Sequence, residues 1–122
     1  MRLALITVLT DNPCQMHLAG SELHKHAPDD PFIEGYTDEY ITTSPVMKFK
    51  ANDFGLYDMS GNVWQYCEDR FIPQRQDVVL RGGSWIYDYP EYLSASFRFN
   101  YTPVSRFDDV GFRCVWLSAS SL

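Results

Sequence analysis

The chain has 122 residues, 45% of them hydrophobic and 21% charged, which is enough for one globular domain around one core and too little for a second. Ten Lys and Arg against 16 Asp and Glu leave a net charge of -6, which argues against a nucleic-acid partner, because phosphate backbones are held by clustered cations. No apolar run approaches the ~20 residues of a membrane span, so no membrane insertion is expected.

In chain order, Arg2 followed by "LALITVL" could pass for a short signal peptide, but no small-residue cleavage site follows. A buried strand over residues 3–9, closed by the turn "TDNP", is the expectation. The spacing predicts a helix over about residues 14–26, ended by Pro28. His17, His24 and His26 fall at i, i+7 and i+9 on it, a poor set for metal and a natural solvated face. From Asp29 onward Pro, Gly, Asp and aromatics alternate too closely for long helices, leaving short strands at 78–81, 93–99 and 111–117 in an α+β chain made mostly of ordered loop. Within it, "NDFGLYDMSGNVWQY" (Asn52 to Tyr66) sets large apolar residues beside Gly and Asn turns, the composition of an internally anchored loop. Cys14, Cys67 and Cys114 have no CxxC spacing and an odd count, which leaves at least one thiol unpaired and fits a reducing compartment.

Four blocks occur in order: "TTSPVMKFKANDFGLYDMSGNVWQYCEDRF", "VVLRGGSW", "SASFRFNYTPVSR" and "VGFRCVW". Together they resemble the formylglycine-generating-enzyme family, or sulfatase-modifying-factor domain, a branch of the C-type-lectin fold. The likeness covers residues 34–117 of a single domain, 1–122, with residues 1–33 unmatched or shortened. It implies a lectin-like α+β fold of short strands and long loops, with "VLRGGSW" as a central strand ending in a Gly-Gly kink. Trp64, Trp85 and Trp116 are expected in the core, Cys67 and Cys114 as small buried residues, and Arg81, Arg98 and Arg113 as partners for buried carboxylates or carbonyls.

The resemblance also implies calcium. Asp58 would give a carboxylate, Gly61 and Val63 their carbonyls and Gln65 a side-chain oxygen, in an oxygen set suited to a hard cation. Family members carry a glutamate where this chain has Gln65, so one negative charge is missing. A second calcium site would use Asp38 and the Tyr40 carbonyl, but its usual upstream asparagine has no clear counterpart. Family enzymes bind copper through two cysteines just after the GGS motif. Here Tyr87 stands at the first position and Glu91 or Tyr92 near the second, so no copper is expected and the chain reads as non-catalytic.

Between Trp85 and Gly111 the composition resembles an antibody combining site, with large rings beside short hydrogen-bonding side chains. The candidate ligand-binding residues are Ile86, Tyr87, Asp88, Tyr89, Tyr92, Ser96, Phe99, Asn100, Tyr101, Thr102, Ser105, Phe107, Asp108 and Asp109. They should converge on one exposed face that takes a protein or glycan, with Arg98, Pro103 and Arg106 turned into the scaffold. Diversity-generating retroelements mutate adenines in lectin-fold proteins, commonly at AAC codons, and the resulting triplets never encode Lys, Gln, Glu, Met or Trp. Those types make up 19 of the 122 residues, so about four are expected among the 25 positions from Ile86 to Val110, where only Glu91 occurs. A variable protein of that kind is one reading, and an enzyme or enzyme fragment of the same family is the other.

Overall fold

A computed structural model describes residues 18–115. The expected strand over 3–9, Cys14, His17 and Trp116 lie outside those residues. Among the described residues are one helix, α1 (Ser21–His26), one 3-10 turn (Pro90–Leu93) and four strands: β1 (Trp64–Arg70), β2 (Val78–Arg81), β3 (Phe99–Tyr101) and β4 (Val110–Gly111). They form one sheet in the order β3-β2-β1-β4, antiparallel except for the parallel β1–β4 pair. No described helix is long and apolar enough to cross a membrane.

The two inner strands carry the core. Trp64, Val79 and Leu80 are fully buried, and each such apolar side chain contributes about 1.5–3 kcal/mol through burial. In β1 the polar residues Glu68 to Arg70 are exposed, and the pairing with β2 shifts register between Tyr66 and Arg70. As expected, β2 runs from Val78 to Arg81 and ends at the double glycine. Gly82 and Gly83 have φ of 98° and 75°. A Cβ on Gly83 would lie 2.7 Å from Leu93 Cδ2, and the Gly61 N–H donates to the Gly82 carbonyl at 2.7 Å, so both space and backbone angle call for glycine.

Several expected elements are shorter or displaced. The helix begins at Ser21, because Gly20 is its extended N-cap and Leu18 and Ala19 are buried ahead of it. Leu23 and Ala19 pack with Trp85, and Ala27 and Ile86 flank them in a small second core. His24 is not on a solvated face, since its ring stacks on Phe32 with centroids 4.0 Å apart. The strand expected over 93–99 is instead the 3-10 turn followed by bends, and β3 starts at Phe99. Pro90 opens that turn, and the Ser94 and Phe97 N–H groups bond carbonyls three residues back, which curls the chain. Strand β1 lies where a loop was expected.

Candidate functional site

The candidate binding segment is closed off by two backbone hydrogen bonds. The Trp85 N–H donates to the Asn62 carbonyl at 2.9 Å, and the Trp64 N–H donates to the Asp109 carbonyl at 2.8 Å. Asn62, in a left-handed conformation with φ of 61°, is itself clamped. Its Oδ1 accepts from Ser44 N at 3.0 Å and its Nδ2 donates to Ser44 O at 3.2 Å, so a buried side chain stands in for a strand partner.

Between those brackets the rings assemble around Trp64. Phe99 stacks on Trp64 at 5.4 Å, and Tyr87, Phe97 and Tyr92 lie within 5.9 to 6.1 Å of it. On one side the contacts continue from Tyr92 to Tyr89 at 5.4 Å. On the other they run from Phe99 to Tyr101 at 5.1 Å and on to Phe107 at 4.5 Å. One ring chain thus joins Tyr89, 48% exposed, to Phe107, 51% exposed, across a Trp64 that is 0% exposed. The register accounts for much of this: Tyr66, Leu80 and Phe99 are direct cross-strand partners, and Trp64 shares their face by alternation.

The polar candidates divide. Ser96, Thr102 and Asp108 are exposed. Ser94 and Ser96 share a hydroxyl contact of 2.8 Å, and Thr102 and Ser105 one of 3.0 Å. Half-buried Asn100 donates to Asp77 Oδ2 at 3.4 Å, and Asp88 keeps a buried Oδ1 with no hydrogen-bond partner. Two candidates leave the face. Ile86 turns into the second core, as an aliphatic side chain beside Trp85 should. Asp109 is 6% exposed and accepts from the Ser84 hydroxyl at 3.0 Å, so its carboxyl is held inside rather than presented at the surface. Burial raises the Asp109 carboxyl above its ordinary value, with Ser84 opposing. Burial, aided by Tyr101 and Asp109, pushes the Tyr87 phenol up to about 12.

Arg98, Pro103 and Arg106 do not turn inward; all three are exposed. Their cations are nevertheless engaged, Arg98 with the Arg70 and Phe71 carbonyls at 3.2 Å and Arg106 with the Ser105 carbonyl at 2.8 Å. Arg81 bonds the carbonyls of Ala95 and Phe97 at 2.8 and 3.0 Å, which ties the segment to β2. Cys67 is buried, as expected, whereas Cys114 is exposed, because β4 ends at Gly111 and the chain beyond it leaves the sheet.

The four expected calcium residues do come together. Asp58, Gly61, Val63 and Gln65 line one cavity of about 390 Å³ with Val46, Met47, Phe112 and Arg113. The Gln65 side-chain oxygen, however, faces a guanidinium. Arg113 Nε donates to Gln65 Oε1 at 2.5 Å, and its terminal nitrogen donates to the Tyr57 and Asp58 carbonyls at 2.8 and 2.9 Å. Gln65 Nε2 donates to the same Asp58 carbonyl at 2.7 Å, and the Asp58 carboxylate accepts from Met47 N at 2.8 Å. Both expected side-chain ligands are thus already engaged, Gln65 by a planar cation and Asp58 by a backbone N–H, whereas calcium takes six to eight oxygens directed at one point. At the other expected calcium position, the Asp38 carboxylate accepts from the N–H groups of Leu18 and Tyr40 at 3.2 and 3.1 Å. The sequence singled out Arg113 as a carbonyl partner but gave no sign that it would meet Gln65.

Comparison with known proteins follows the same lines. The model of the sulfatase-modifying factor enzyme 1-like domain matches residues 15–118, reaching further upstream than the motifs legible from residue 34. Inactive C-alpha-formylglycine-generating enzyme 2 of Mus musculus is 40% identical over 83 residues, covering 63% of this chain and 27% of its own. Formylglycine-generating enzyme of Streptomyces coelicolor is 32% identical over 101 residues, covering 69% of this chain and 32% of its own. This chain thus spans a third or less of the length of these curated relatives. Among solved structures, Treponema denticola variable protein 1 superposes with a TM-score of 0.55 at 32% identity, over 62% of this chain and 32% of that one. PvdO from Pseudomonas aeruginosa superposes with a TM-score of 0.56 at 26% identity, over 81% of this chain and 51% of that one. The fold is therefore the α+β, C-type-lectin-like fold of the formylglycine-generating-enzyme branch.

Proposed function

Since the chain belongs to the family of sulfatase-modifying factor enzyme 1-like domains and resembles both a protein named formylglycine-generating enzyme and one named an inactive formylglycine-generating enzyme, we propose that it is a non-catalytic recognition domain. Its ligand is a protein or glycan, bound on the aromatic face of the segment after Trp85. The observation that carries this reading is the ring chain from Tyr89 to Phe107. Rings fixed at the centre by Trp64 and open at both ends offer large contact area at little entropic cost on binding. The shortage of Lys, Gln, Glu, Met and Trp across residues 86–110 and the likeness to a protein titled a variable protein support diversification of that face by a retroelement.

The second reading, an enzyme or enzyme fragment, is favoured by the likeness to the Streptomyces coelicolor enzyme. Against it stand Tyr87 and Tyr92, with ring centroids 5.0 Å apart, at and near the two positions where the resemblance puts copper-binding cysteines. Phenols are poor ligands for a soft Cu(I) ion. The test is selection of binders from a glycan array and a displayed peptide library, followed by Tyr89→Ala and Phe107→Ala. Each substitution should weaken a selected binder by about 1–4 kcal/mol with circular dichroism unchanged. Binders indifferent to both changes, or tight Cu(I) binding by the wild-type chain, would sink the proposal.

A further inference from the structure

We infer that the Arg113 guanidinium is the resident cation of the cavity lined by Asp58, Gly61, Val63 and Gln65, and that this chain holds its fold there without the calcium ion its family resemblance implies. Three observations lead to it.

Both side-chain oxygens expected at a metal already have partners, Gln65 Oε1 in Arg113 at 2.5 Å and the Asp58 carboxylate in the Met47 N–H at 2.8 Å. Gln65 Oε1 and the Tyr57 and Asp58 carbonyls each accept from Arg113, at 2.5 to 2.9 Å. Bringing calcium to the same oxygens would mean expelling the guanidinium or placing two cations in contact.

The charge also matches one cation of unit charge. Among the four expected ligands Asp58 is the only carboxylate, because position 65 is Gln rather than Glu. One carboxylate and one guanidinium balance, whereas a divalent ion with one carboxylate does not. Gln65 further suits the arrangement because its amide has two roles: Oε1 accepts from Arg113 while Nε2 donates to the Asp58 carbonyl at 2.7 Å. A glutamate could make only the first contact.

The arrangement has a structural purpose as well. Arg113 follows β4, and the carbonyls it holds belong to the loop before β1, so the guanidinium ties together segments 55 and 56 residues apart. That is the cross-linking a structural calcium would otherwise provide.

The test uses the intact chain. Unfolding midpoints of the wild type should coincide in CaCl2 and in EGTA, and calcium titration by calorimetry should give no binding heat. A midpoint that rises with calcium, or a saturable heat, overturns the inference. Arg113→Gln should lower the midpoint in either buffer, and Arg113→Lys, which keeps the charge but not the fork, should fall between it and the wild type. An Arg113→Gln protein as stable as the wild type also overturns it. Should Arg113→Gln fail to fold, the wild-type calorimetry and midpoints decide the question alone.

Discussion

Phe99 lies nearly parallel to Trp64, with ring centroids 5.4 Å apart and an interplanar angle of 21°, and through that contact the most buried ring of the sheet supports half-buried Phe99 and the rings that lead from it to the surface. Trp64→Ala should therefore cost about 3–5 kcal/mol in urea unfolding, as large aromatic deletions in cores do. Near-ultraviolet circular dichroism should lose most of its aromatic signal along with it. A cost under about 1 kcal/mol would mean that the rings do not rest on Trp64.

Backbone geometry sets a second expectation. Asn62→Ala strands the Ser44 N–H and carbonyl and leaves alanine at a φ of 61°, for a predicted loss of about 2–4 kcal/mol. Gly83→Ala drives a methyl group against Leu93 at 2.7 Å with φ at 75°, and should cost about 1–3 kcal/mol. Chemical denaturation of both variants checks the pair, and a Gly83→Ala protein as stable as the wild type would contradict the close approach.

Two titrations give pH dependence of known sign. The Tyr87 phenol moves from 10.0 to about 12, so the folded protein keeps a proton that the unfolded chain releases. Its contribution is complete below pH 10 and is lost between 10 and about 12. Tyr87→Phe should flatten that alkaline limb relative to the wild type. The Asp109 carboxyl is also raised, so its contribution is complete below the ordinary 3.8 and shrinks as pH climbs past it, the reverse of an ion-paired acid. Asp109→Asn should remove that slope in stability measured against pH, and an unchanged slope would count against burial of the carboxylate.

The thiols should separate by reactivity. Cys67 is buried and burial raises its pKa, while Cys114 is exposed. A thiol reagent followed by peptide mass spectrometry should label Cys114 in the native protein and Cys67 only on unfolding. Labelling at equal rates would place Cys67 at the surface.

What the sequence discloses depends on how local the cause is. Strand β2 was legible to the residue, because Val78 to Leu80 are apolar and the glycines that stop the strand are its neighbours. The helix was too long in expectation because nothing local reveals that Leu18 and Ala19 would be buried outside it. Strand β1 was hidden for the opposite reason: the Gly61-Asn62 turn immediately before it dominates the reading, and its partners Arg81 and Val110 are supplied from far along the chain. The site followed the same rule. Aromatic density announced a ring cluster, but which candidates would sink, Ile86 and Asp109, was decided by packing on the small core of Ala19, Leu23 and Trp85 and by the Ser84 hydroxyl, which no spacing encodes.

The two backbone bonds that bracket the segment after Trp85 have an evolutionary corollary. Trp85 is tied to Asn62 and Asp109 to Trp64, so the ends of the segment are fastened two residues apart on the chain entering β1, with β3 paired to β2 between them. Its ends are held together by the framework, and between β3 and Asp109 lies a mostly exposed loop, residues 102–108, that can be exchanged without disturbing the sheet. Lengthening such a loop costs entropy only logarithmically, about 0.6 kcal/mol for each doubling. Insertions and replacements within that loop should therefore be tolerated far better than single changes at the four bracketing residues, and a lineage could alter the surface there without searching again for a fold.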